Sequence, residues 1–148
     1  TPESFLALLE DVFETTLLGS ATPPGKLHEF SMYLAGKWYS LGLKNIPESD
    51  SPVENLDAKI LYDLVLKPHL KIEDPKTDAR IEFVSGKVGM DGLQLYADKK
   101  KMDLAFGLYP VTTTQLKAVA DAQEIMPPKT TWIEPKLRSG LTIFGFDD

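Results

Sequence analysis

The residues best equipped for chemistry lie in MPPKTTWIEPKLRSG, residues 126 to 140. Lys129, Lys136 and Arg138 against Glu134 leave this stretch at +2 (three minus one), on a chain whose formal net charge is −6. A stiff basic segment on an acidic domain is a candidate contact for an anion: a phosphate, a carboxylate, or the acidic face of a neighbouring domain. Arg138 suits a bidentate contact, whereas Lys129 and Lys136 act as point charges. Thr130 and Thr131 add hydroxyl donors. Pro127, Pro128 and Pro135 hold the backbone extended and remove donors from it. The competing reading has Trp132 and Ile133 anchoring a long connection to the core while the charges face water. Loops beyond ~12 residues are uncommon in compact domains and are often functional, which favours the anion contact.

Elsewhere the chemistry is sparse. His28 opens an expected strand and His69 follows Pro68; neither has a second histidine or a carboxylate at ligand spacing, so both are expected to be structural. SGKVGMDG (85 to 92) has the order of a phosphate cradle, with Lys87 supplying charge, but glycines at 86, 89 and 92 fit no fingerprint. A strand-to-helix connection is the plainer reading. EDPKTDARIE (73 to 82) sets four carboxylates against Lys76 and Arg80 without the spacing of a calcium loop, and reads as a solvated turn with local ion pairs. The triplet Lys99, Lys100 and Lys101 reads as a helix end, where cations suit the dipole. No metal site is expected.

Composition narrows the classes. The 148 residues suffice for one domain with a sizeable core, and the charged fraction of 26% is ordinary for a globular protein. With zero cysteines, disulfides, thiolate catalysis and Cys-ligated metals are excluded within the chain. The acidic balance disfavours nucleic acid as a partner, and no apolar run approaches the ~20 residues of a membrane helix. The expected compartment is cytoplasmic. The chain starts at Thr1 without an initiator Met or signal peptide, as a fragment or processed chain would.

Positioning these residues requires an α+β fold. Residues 1 to 18 read as one amphipathic helix capped by Thr1, with Phe5, Leu8, Leu9, Val12, Phe13 and Leu17 on its stripe. HEFSMYLAGKWYSLGL (28 to 43) reads as a β-hairpin turning at Ala35-Gly36. SPVE (51 to 54) matches a capping box, with Asp57 a rival cap, before a helix that Pro68 ends or kinks. A strand is expected at 81 to 85, a weaker helix at 90 to 100 and a central strand at 103 to 110. Together these suggest a right-handed βαβ unit. TTTQ (112 to 115) is a second capping box, before a helix ending near Gln123, and 140 to 146 reads as a final strand. The expectation is a small mixed sheet of about five strands packed with about four helices.

One resemblance covers most of the chain. ADAQEIMPPKTTWIEPKLRSGL (120 to 141) resembles the closing signature of the bacterial and archaeal family called domain of unknown function 1015. AGKWYSL, LDAKILYDLVLKP, DPKTDARIEFVSG and FGLYPVTTTQL resemble its other blocks in the same order. Within the signature, Pro127, Pro128, Lys129, Thr131, Trp132, Glu134, Pro135, Lys136 and Gly140 match the pattern, with no roles assigned. The resemblance implies that this is the C-terminal part of a longer protein. Its N-terminal part is distantly similar to the ParB and sulfiredoxin group, which includes ATP- or ADP-using free-serine kinases. Three readings stay open. The chain is a non-catalytic C-terminal domain that packs on an N-terminal domain of the same polypeptide, completes its site, or forms a homo-oligomer. Alternatively it lends Lys129, Lys136 and Arg138 to a phosphate-handling kinase site, with a nucleotide as cofactor of the full-length protein. A free-standing enzyme is the weakest reading, because nothing pairs a nucleophile with a base.

Overall fold

The computed structural model describes residues 1–130. Its first element, α1 (Pro2–Leu9), is capped as its sequence demands: the Ser4 backbone N–H donates to Thr1 Oγ1 at 3.2 Å, and Pro2 stands where a missing N–H is harmless. The helix stops there instead of running to residue 18. Phe13–Leu18 forms strand β1. FETTLL carries two apolar periods at once, because Phe13 and Leu17 are four apart on a helix and also share one face of a strand. Thr15 and Thr16, stiff at χ1, favour the strand, and pairing with β3 decides the matter.

The expected hairpin is present as β2 (Glu29–Leu34) and β3 (Lys37–Leu43). Ala35 at φ 50 and Gly36 at φ 78 form its two-residue turn. Left-handed backbone at both central positions matches the twist of the flanking strands. Strand β4 (Leu104–Leu108) completes a four-stranded antiparallel sheet in the order β1-β3-β2-β4. Three expectations are corrected here. The sheet is antiparallel, not mixed. Residues 81 to 85 form no strand, so there is no βαβ unit, and β4 pairs antiparallel with β2. Nor is β4 central: it stands at the end of the sheet order. IEFVS has strand propensity, but it pairs with no described strand, and Phe83 is left about half exposed. The expected strand at 140 to 146 lies outside the described residues.

Helices cover both faces of the sheet. On one face, Phe30, Met32, Leu34 and Leu41 form a core with Leu9 of α1 and with Ile60, Leu61 and Val65. These last three come from a continuous helical run: α2 (Asp57–Leu61), a π-helical turn (Tyr62–Leu66) and α3 (Lys67–Leu70). Counted as one helix, the run brings the described helices to the expected four. Pro68 does not end it. The backbone widens to the i→i+5 pattern just before the proline, with the Lys67 N–H donating to Tyr62 O. That widening lets the chain accommodate a ring that would otherwise strike the carbonyl four residues earlier.

On the other face lies α4 (Gly89–Lys100). Trp38 Nε1 donates to Gln94 Oε1 at 2.8 Å and the Tyr33 hydroxyl donates to Asp98 Oδ1 at 2.8 Å, so two strands are pinned to one helix. Gly107 permits the close approach: a Cβ there would stand 2.6 Å from Met90 Sδ. The last described helix, α5 (Thr113–Asp121), starts at the expected Thr112–Gln115 capping box, with both reciprocal bonds made.

The acidic turn at 73 to 82 holds itself by local pairs, as expected. Arg80 Nη2 lies 2.6 Å from Asp78 Oδ2, and its hydrogen bond holds the Asp78 carboxyl down to about 2. The same guanidinium donates to Leu70 O at 3.0 Å and Lys71 O at 2.9 Å, satisfying carbonyls at the end of α3. We expect Arg80→Ala to speed amide exchange across residues 72 to 82 while leaving β2 and β3 protected. Unchanged exchange in that turn would show that the guanidinium does not hold it.

Candidate functional site

Four of the residues singled out from sequence in the C-terminal stretch are described. Pro127 and Pro128 lead into a tight turn. Thr130 Oγ1 donates to Pro127 O at 2.8 Å and Lys129 takes a left-handed φ of 59, with its side chain exposed. The first cation of the segment therefore stands on a defined turn. Thr131, Trp132, Glu134, Pro135, Lys136, Arg138 and Gly140 lie outside the described residues.

The approach to that turn is tethered. The Ser51 hydroxyl donates to Glu124 Oε2 at 2.7 Å, joining the chain just after α5 to the loop between β3 and α2. Ser51 also receives the Glu54 N–H at 3.4 Å, a weak remnant of the expected capping box. The helix itself starts three residues later, at Asp57, with no side-chain cap.

That loop borders an open depression of about 560 Å³, lined by Ile46, Pro47, Glu48, Ser49, Asp50, Asn55 and His28. Asn55 shapes its wall, donating Nδ2–H to Ser49 O at 2.9 Å. Its lining residue His28 belongs to a pair that the sequence did not suggest. His28 Nδ1 lies 2.9 Å from Asp57 Oδ1. The backbone N–H of His28 donates to both Asp57 oxygens, at 3.1 and 3.2 Å. The carboxylate is thus directed mainly at the backbone. Nδ1 is buried and lies close to Oδ1 without meeting it in hydrogen-bonding geometry.

The electrostatics of the pair are unusual for this molecule. Asp57 is only 5% exposed and is the one charged residue among the buried side chains described. Burial pushes its carboxyl above the ordinary range, and the three contacts from His28 only partly offset that. His28 itself takes a φ of 64, in the left-handed region that histidine tolerates better than most side chains. A buried charge and a strained backbone at one point mark a place where the fold accepts a cost.

His28 lines the depression, and its Nε2 has no hydrogen-bond partner among the described residues. An imidazole fixed on one nitrogen by a carboxylate and open on the other can exchange protons or accept a hydrogen bond.

The remaining sequence candidates are not brought to this site. His69 lies in the last turn of α3. Gly86–Val88 is a 3-10 turn leading into α4, preceded by coil. Lys101 ends α4 with a left-handed φ of 56, and Lys100 pairs with Glu82 at 3.5 Å. Among the described residues no cluster of three His, Asp or Glu side chains has the arrangement of a metal site, and no helix is long and apolar enough to cross a membrane. Sequence reasoning missed Asp57 as the partner of His28 because the two are 29 residues apart. The available signals were a histidine directly before a strand and an aspartate at a helix start. No protein-family model matches the chain, and no match is found among the curated proteins or among the solved structures.

Proposed function

We propose that this domain is not an enzyme by itself and that it completes a site on an N-terminal domain of the same polypeptide, in a cytoplasmic protein of the domain-of-unknown-function 1015 family. The observation that carries this reading is the Ser51–Glu124 hydrogen bond. It sets the start of the basic segment beside the loop that lines the His28 depression. Lys129 follows Glu124 by five residues, so it lies within about 18 Å of that tether even with the chain fully extended. A histidine paired with a buried carboxylate and lining an open depression, with Lys129 on a turn a few residues from the tether, has the make-up of one wall of a site. Ile125 adds to this: it sits at the same place and is 85% exposed, an apolar side chain for a covering surface to bury.

A second reading is favoured by the turn at Lys129. A cation held on a defined turn, followed in sequence by Lys136 and Arg138, suits the phosphates of a nucleotide in an ATP- or ADP-dependent kinase of a small metabolite such as free serine.

One thermal-shift titration tests both. This chain and a longer polypeptide that carries it are titrated side by side with Mg-ATP, Mg-ADP, pyrophosphate and serine. A ligand at 100 times its Kd stabilises the binding form by ~2.7 kcal/mol, a readily measured shift. We expect the longer polypeptide to shift and this chain to stay unmoved. A shift of this chain alone would overturn the shared-site reading. No shift in either would remove the kinase reading.

A further inference from the structure

We infer that the outer edge of β4 is a docking site for the chain's own C-terminal segment, residues 140 to 146, which adds there as an antiparallel fifth strand. The inference goes beyond the shared-site reading and needs no second domain.

The two end strands of the sheet differ in what they offer. Among the described strands, β1 pairs with β3 alone and β4 with β2 alone. β1 reads FETTLL and exposes Glu14 and Thr16, the polar dress of a strand that ends a sheet. β4 reads LAFGL and has no polar side chain. Leu104, Phe106 and Leu108 pack against the core that holds Leu9 and Ile60, and Ala105 packs against Tyr33, Trp38 and Ala97 on the opposite face. Yet all four remain only half-buried. An edge with apolar side chains on both faces is a template for another strand, whose own side chains would cover the area still exposed.

The occupant follows from where the described chain stops. Residues 131 to 148 continue past Thr130. Within them GLTIFGF (140 to 146) alternates Leu141, Ile143 and Gly145 with Thr142, Phe144 and Phe146 and carries no charge, so it matches β4 in character. From the tethered Glu124 to Gly140 the extended chain reaches roughly 50 Å, well past the radius of gyration of about 15 Å for a domain of this size. Length therefore allows either edge, and the chemistry of the edges selects β4.

The tether also sets the direction. Ser51 belongs to the loop after β3, and β3 ends where the Leu43 N–H donates to His28 O. β2 starts at that end of the sheet and β4 finishes there, with Leu108 opposite Phe30. A strand entered from this end runs antiparallel to β4. It also ties the intervening basic segment at both ends, keeping Lys136 and Arg138 toward the end of the sheet where His28 stands.

Amide exchange in the intact chain, followed residue by residue by NMR, tests this. In an antiparallel end strand, alternate N–H groups bond the neighbour and the others point outward. We expect both sets to be protected in β4, while the outward set of β1 exchanges freely. Thr142→Pro combined with Ile143→Pro removes the donor directed at β4 in either register, because successive N–H groups of a strand point to opposite sides. The outward amides of β4 should then exchange about tenfold faster or more, with those bonded to β2 unchanged. Unprotected outward amides in wild-type β4 overturn the inference without recourse to any variant. Protection that survives both prolines overturns it too: if that protection weakens on dilution, the occupant is a second copy of the chain, and if it does not, another part of the chain covers the edge. Release of β1 amides instead of β4 amides would show that the segment docks on the other edge, and would overturn it as well.

Discussion

Phe30→Ala should lower the melting temperature by roughly 6–20 °C, from a loss of about 3–5 kcal/mol at ~2–4 °C per kcal/mol for a chain of this size. Phe30 is 0% exposed and sits on β2, which is hydrogen-bonded on both sides, by β3 and by β4. Its ring meets Phe13 edge-to-face, with centroids 5.7 Å apart and planes at 84°. That contact joins the central strand to β1 at the end of the sheet, under the helical run that also carries Asp57. Truncation therefore removes the transfer energy of a large ring, leaves a cavity between layers, and strips an aromatic partner from Phe13. Leu95→Ala is the comparison: Leu95 is 70% exposed on α4, and its loss should change stability by no more than ~0.5 kcal/mol. Circular-dichroism melts of the two variants decide the point. A Phe30→Ala shift as small as that of Leu95→Ala would mean that the sheet is not packed around this ring.

The contrast between what the sequence disclosed and what it hid has a physical cause. The hairpin was legible because its evidence is local: alternating apolar residues on both sides of Ala35-Gly36, at a turn that needs positive φ. The Thr112–Gln115 capping box and α4 were legible for the same reason. β1 was not, because FETTLL satisfies the helix and strand periods equally well, and the decision is made by β3, more than 20 residues later. IEFVS misled in the opposite sense, since strand propensity that is not met by pairing to a neighbouring strand produces no strand. The site followed the same division. The basic segment could be read from composition and proline content. The His28–Asp57 pair could not, because neither its contact nor the burial that raises the carboxyl exists until β2 is laid against α2. Local chemistry is written in the sequence; a pKa set by desolvation is a property of the assembled layers.

The second large effect is expected at that pair. Asp57→Ala removes the acceptor for the His28 backbone N–H, now held at 3.1 and 3.2 Å, and so leaves a part-buried donor unsatisfied at a residue already in left-handed backbone. The loss should be about 1–3 kcal/mol at neutral pH. Asp57→Asn should cost far less, because its oxygen still accepts from that N–H and the buried charge is gone. The pH dependence separates the two contributions. Burial raises the folded carboxyl above its unfolded value, so the native state holds the proton more tightly than the unfolded chain does. The stability that this group contributes is therefore fully present below the unfolded value, ~3.9, and is lost as pH rises through the raised folded value. Wild type should accordingly lose stability relative to Asp57→Asn over that window and run parallel to it above. Urea denaturation of wild type, Asp57→Ala and Asp57→Asn at a series of pH values measures all of this. If Asp57→Asn proves as damaging as Asp57→Ala at neutral pH, the charge itself holds His28 in place. If it is nearly neutral, the protein carries a desolvated carboxylate that its fold does not need. Removing the charge would then leave the domain standing.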